Sequence, residues 1–202
     1  GVITPPYPAS MAANDICLLV AESENEAISL SVAQGFVEVT NSPQFAGTAA
    51  TSPANRIAVF WKKTAGGDIA PAIIDVGNHV TGQIHCFFNV TTSGNPWDIT
   101  AGGNDGAAND TTGVIPGATT ATANTLVVLI QGTSNDANST ANCSAWTNTD
   151  LAAITERADN TGNTNLGGGH CLATGEKATA GAYATTTVTL SATTYKGAMS
   201  IA

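Results

Sequence analysis

A chain of 202 residues is long enough for one ordinary domain with a real core, and 43% hydrophobic residues exclude a disordered chain. Only 10% of the residues are charged, too few to coat long exposed helices. Six basic against 15 acidic residues give a net charge of −9, which argues against partners that are bound through phosphates or anionic membrane surfaces.

The abundant residues are 34 Ala, 30 Thr, 21 Gly and 17 Asn. Thr favours strands, while Gly and Asn favour turns, so the composition predicts an all-β protein. Residues 1–14 read as an extended arm, whose segment Gly1–Ser10, with Pro5, Pro6 and Pro8, contacts a neighbouring molecule. Strands are then expected at Ile16–Glu22, Phe36–Thr40, Arg56–Lys63, Ala70–Val76 and Val80–Val90, each bounded by turn formers. Further strands are expected at Thr125–Gly132, Ala152–Arg157, His170–Gly175, Thr185–Ala192 and Lys196–Ala202. Ile16–Val20 and Thr125–Ile130 are continuous apolar runs, the pattern of central strands covered on both faces. Ser23–Gln34 is the one stretch with helix-compatible charges, yet Ile28, Leu30 and Val32 alternate with Ser29 and Ser31 as in a strand. The Gly-, Asn- and Thr-rich stretches Asn41–Asn55, Ser93–Asn124, Gly132–Asp150 and Asp159–Gly169 read as long loops. No apolar run approaches the roughly 18 residues of a membrane span.

The halves look alike. Asp15–Val20 lines up with Asn124–Leu129, Lys63–Val76 with Lys177–Leu190, and Thr81–Cys86 with Lys196–Ile201, in the same order. This predicts an internal duplication, with pseudo-repeats over 15–90 and 124–202, in a single antiparallel β-sandwich spanning 1–202. Two separate small domains joined through Thr91–Ala123 are the alternative, against which stands the thin core of a five-stranded half.

Chemistry-bearing residues are sparse. Cys17, Cys86, Cys143 and Cys171 have no CxxC spacing, so they read as buried thiols or, alternatively, as one or two disulfides in an oxidising setting. His79 and His85 lie on one strand about 20 Å apart, too far to share a metal, so these and His170 read as lone surface or edge histidines. No serine elbow or phosphate-binding loop occurs, and Gly167-Gly168-Gly169 reads as a bulge or tight turn. No pair among the acidic residues has a recognisable glycosidase setting, so no enzyme activity, catalytic residue or cofactor is expected. The stretch Asp98–Asp110 offers Asp98, Asn104, Asp105 and Asp110 as hard oxygen ligands for Ca²⁺, against the plainer reading of a solvated turn. Trp97 and Trp146 read as loop tryptophans, either a glycan-stacking pair or lids over the sandwich ends. Asn89, Asn109, Asn138 and Asn142 begin Asn-x-Ser/Thr sequons, frequent by chance in such a composition.

Several segments together are familiar. Pro8-Ala9-Ser10 leading to Asn14-Asp15-Ile16-Cys17-Leu18-Leu19-Val20 resembles a "Pro-Ala-x…Gly-Asp-Leu-Leu-Leu" opening, with Asn14 where Gly is usual. Gly35-Phe36-Val37-Glu38-Val39, Arg56–Lys62 and Gly94-Asn95-Pro96-Trp97-Asp98 follow. Thr155–Asp159, Gly167–Gly169, Ala173-Thr174-Gly175 and the closing Met199-Ser200-Ile201-Ala202 complete the set. The whole is similar to β-sandwich modules of tailed-phage and prophage structural proteins and, more loosely, of bacterial surface proteins. The resemblance implies a jelly-roll-like sandwich in a virion or extracellular setting. It transfers no catalytic residues. The implied function is a capsid decoration, fibre or tail component, a homo-oligomer bound to other virion proteins. The alternatives are a carbohydrate-binding adhesin that recognises a host-surface glycan, and an extracellular filament or surface-layer subunit.

Overall fold

The computed structural model describes residues 1–77, 79–135, 141–162 and 167–202, and of residues 106–109 only the backbone. Among the described residues all regular structure is strand. The first half carries β1 (Val2–Ile3), β2 (Ile16–Ser23), β3 (Ile28–Val32), β4 (Val37–Glu38), β5 (Gln44–Ala46), β6 (Asn55–Lys63), β7 (Ala72–Asp75) and β8 (Val80–Phe87). The second carries β9 (Thr100–Ile115), β10 (Ala118–Thr120), β11 (Thr125–Thr133), β12 (Cys143–Thr147), β13 (Ala152–Gly162), β14 (Gly168–Lys177), β15 (Gly181–Tyr183) and β16 (Thr186–Ile201).

Each half builds one main antiparallel sheet. The first runs β4-β6-β2-β8, with β5 also on β6; the second runs β12-β16-β11-β14-β13, with β9 also on β16. Alternate side chains of β2, β6, β11 and β14 face the space between the sheets, where Leu18, Val20, Ile57 and Val59 meet Val128, Ile130, Leu172, Met199 and Ile201. The opposite faces are buried too. Cys17, Leu19, Ala21, Phe60 and Ile84 lie under Ile3, Tyr7, Met11, Phe36 and Ile73. Val127, Leu129, Cys171 and Ala173 lie under Ile115, Leu151 and Tyr183. Burial on both faces is why β2 and β11 are apolar at every position of their central runs, each such side chain contributing roughly 1.5–3 kcal/mol. In both sheets the first of the aligned segments is central, with antiparallel partners on each side: β6 and β8 flank β2, and β14 and β16 flank β11.

The four cysteines form two disulfides. Cys17–Cys86 joins directly paired positions of β2 and β8, and Cys143–Cys171 ties β12 to β14, strands that are not hydrogen-bonded neighbours. They close loops of 69 and 28 residues, worth about 4 and about 3.5 kcal/mol on the chain-entropy account. The buried-thiol reading therefore gives way to its alternative.

Other expectations also change. Residues 1–14 do not project: Val2 and Ile3 pair with Ile74 and Ile73 of β7, and Ile3, Tyr7 and Met11 cover the first sheet of their own chain. The supposed loop Ser93–Asn124 contains β9, which with β16 is one of the two longest strands. Its small residues hide it from a hydrophobic pattern, yet the close packing needs them. A Cβ on Gly102 would lie 2.9 Å from the Asn41 carbonyl oxygen, and one on Gly103 2.8 Å from Pro116. Gly132–Asp150 likewise contains β12, and Thr185–Ala192 and Lys196–Ala202 run together as β16 with irregular register between Thr189 and Thr194. The sandwich is shut on the side where Asn41 Nδ2 donates to the Thr100 carbonyl at 2.8 Å and Thr100 Oγ1 donates to the Thr40 carbonyl at 2.9 Å. On the other side, between β8 and β13–β14, it opens.

Candidate functional site between the sheets

β8 lies at the edge of its sheet. Its outward residues Ile84 and Cys86 belong to the outer core, so Gln83, His85 and Phe87 face inward. On β14, Cys171 and Ala173 face outward, so His170, Leu172 and Thr174 face inward. The two sets meet across the sandwich. Nε2 of His85 lies 3.5 Å from Nε2 of His170, with the rings at 88° and their centroids 5.8 Å apart. His170 is fully buried; His85 is partly exposed at a cleft of about 580 Å³. Gln83, Phe87, Phe88, Arg157 and Thr174 also line that cleft. Arg157 Nε donates to Thr174 Oγ1 at 2.9 Å. Burial lowers His85 to about 4; burial and then the neighbouring His85 lower His170 to about 3, so both rings are neutral at neutral pH. The expectation of lone surface or edge histidines fails, because these two come from different halves and the sandwich stacks their strands.

His79 departs from it as well. It is buried, and its Nε2 shares a 3.1 Å hydrogen bond with Glu22 Oε2. Asn55 Nδ2 donates to Glu22 Oε1 at 2.9 Å, and Asn55 Oδ1 accepts from the Gly197 N–H at 2.9 Å. Glu22, Asn55 and Gly197 thus tie the first sheet to the second. Complete burial raises the Glu22 carboxyl to about 7, against the lowering pull of His79 and Asn55.

The residues singled out for other ligands are dispersed. Trp97 packs edge-on against Trp61 with centroids 5.0 Å apart, among the side chains between the sheets. Trp146 packs on the outer core of the second sheet, and its Nε1–H donates to Glu156 Oε2 at 2.7 Å. The two tryptophans therefore lie on opposite faces of one sheet and share no platform. Asp98 accepts from the Ala121 and Thr122 N–H groups at 3.0 and 2.6 Å and from Thr122 Oγ1 at 2.8 Å, which holds its carboxyl below the usual range. Asp105 and Asp110 lie on β9 and flank the buried Lys196 ammonium at 3.0 and 2.7 Å. Asn104 is exposed on the same strand, opposite Gly197. Asp98, Asp105 and Asp110 thus do not converge, and between the latter two sits a cation supplied by the chain itself. Of the sequons, Asn89 is exposed and Asn142 is buried; Asn138 and the Asn109 side chain lie outside the described residues.

Compared with known proteins, the chain matches no family model, no curated protein and no solved structure.

The histidine pair is the feature the sequence did not disclose. The one usable signal is alternation: once the outward residues of β8 and β14 are assigned, His85 and His170 both fall on inward positions.

Proposed function

We propose that this chain is a non-enzymatic structural module of a virus particle, of the tailed-phage kind its sequence resembles, which binds other virion proteins and further copies of itself. The supporting observation is that its cysteines are joined in two disulfides that staple both sheets. Such bonds belong to an oxidising, extracellular setting and suit a part that must persist outside a cell. The common wiring around β2 and β11 supports the internal duplication that forms part of this reading. Light scattering on the oxidised protein, with antibody labelling of particles from the source culture, tests it. A discrete oligomer and labelled particles are expected. A monomer at every concentration together with unlabelled particles would overturn it.

A second reading, a glycan-binding adhesin, draws on a hollow of about 510 Å³ beside the cleft, where the exposed Phe88 and the partly buried Trp97 meet Asn89, Asn95, Asp98 and Asn124. A glycan array with Phe88→Ala as control separates the two. Binding that disappears in the variant supports the adhesin.

A further inference from the structure

We propose that His85 and His170 form a binding site for a divalent transition cation of the zinc class, entered from the cleft between the sheets. The inference is independent of the virion reading.

Distance is the first argument. Two Nε2 atoms at 3.5 Å are too far apart for a good N–H···N hydrogen bond, which lies near 2.7–3.2 Å. They are well placed to hold one ion between them. With metal–nitrogen bonds of about 2.0–2.1 Å, that separation corresponds to an angle at the metal of roughly 115–120°, near tetrahedral.

His170 is completely buried, and its Nδ1 has no hydrogen-bond partner among the described residues. Its Nε2 faces His85 Nε2. Burial keeps both imidazoles unprotonated at neutral pH, which is the state that ligates a metal. A ring that turns its Nε2 lone pair toward the gap carries its proton on Nδ1.

Access and selectivity follow from the surroundings. His85 borders the cleft, which gives an ion a route to the pair. Among the described residues no Asp or Glu lines the cleft, and a nitrogen donor pair suits Zn²⁺, Cu²⁺ or Co²⁺ over the oxygen-seeking Ca²⁺ and Mg²⁺. Without a carboxylate there, the charge of the bound ion is balanced by an anion from the cleft, whose lining includes the basic Arg157. Both histidines sit on paired strands, so the geometry exists before the ion arrives.

The test uses the untagged full chain, freed of metal and titrated with ZnCl₂ by calorimetry, with CuCl₂ for electron paramagnetic resonance. One Zn²⁺ per chain is expected, undisturbed by excess Ca²⁺ or Mg²⁺, with nitrogen hyperfine structure on Cu²⁺. His85→Gln and His170→Gln should each weaken Zn²⁺ binding at least tenfold. If His170→Gln does not fold, the partly exposed His85→Gln and the imidazole ¹⁵N shifts of the unaltered protein on adding Zn²⁺ carry the test. Absence of saturable Zn²⁺ binding, affinity unchanged in His85→Gln, or a Cu²⁺ spectrum without imidazole nitrogen would overturn the site.

Discussion

Two polar islands lie in the apolar space between the sheets, and they are completed differently. Around Glu22 both carboxylate oxygens have partners, and Asn55 extends the network to a backbone N–H of the facing sheet. Around His170 one nitrogen meets only a long contact and the other has no partner among the described residues. Both islands bridge sequence-distant strands, so holding the layers together does not require leaving polar atoms unsatisfied. An island that is left open, and that borders a cleft, retains binding capacity which the closed one has used up internally.

The largest effect should come from breaking the closed island. Glu22→Ala leaves Asn55 Nδ2 and His79 buried without their carboxylate, and an expected loss of about 3 kcal/mol can be read by chemical denaturation. A loss under about 1 kcal/mol would show that the network is not what couples the sheets there.

Acid comes next, and the islands respond in opposite directions. The histidines have folded pKa values of about 4 and about 3 against 6.5 for the free group. Their contribution is complete above pH 6.5 and is lost as pH falls through the window from 6.5 to about 3. Glu22 is raised from 4.5 to about 7, so its contribution is complete below pH 4.5 and is lost as pH rises toward 7. The groups concerned are His170 and Arg157 near His85, and His79 and Glu24 near Glu22. Each proton changes stability by at most about 1.4 kcal/mol per pH unit. Melting temperatures across this range, compared with those of a His85→Phe/His170→Leu variant, should show the variant losing less stability between pH 6 and pH 4. Parallel curves would remove the histidines from the acid response. At neutral pH and without metal, that double variant should stay within about 1 kcal/mol of the unaltered protein, because replacing both members of a poorly bonded pair leaves no new orphan. A loss matching that of Glu22→Ala would erase the distinction between the islands.

What could be read in advance follows the same division. Central strands were legible because Ile16–Val20 and Thr125–Ile130 are covered on both faces, which forces an uninterrupted apolar run. The strand β9 was not, since Gly102, tight against the Asn41 carbonyl, and Gly103, tight against the Pro116 ring, carry no hydrophobic signal. The surroundings of Asp105 and Asp110 were hidden for that reason: read as a loop they seem to face water, whereas pairing with β16 sets them against Lys196. The histidine pair needed the stacking of one half on the other, information that no local window holds.

Lys196 provides the smallest test and a third term for the comparison. Its side chain is 1% exposed, but its partners are not sealed in: the Asp105 and Asp110 side chains are 25% and 52% exposed. Lys196→Met therefore returns two carboxylates to water instead of stranding them, and the apolar stem is largely replaced. The expected change is below about 1 kcal/mol and shrinks further as salt is added. Asp110→Asn should cost still less, since Asp105 keeps its hold on the ammonium. Thermal melts at low and high ionic strength measure both. If Lys196→Met proved as damaging as Glu22→Ala, access of the abandoned partners to water would not be what ranks these islands.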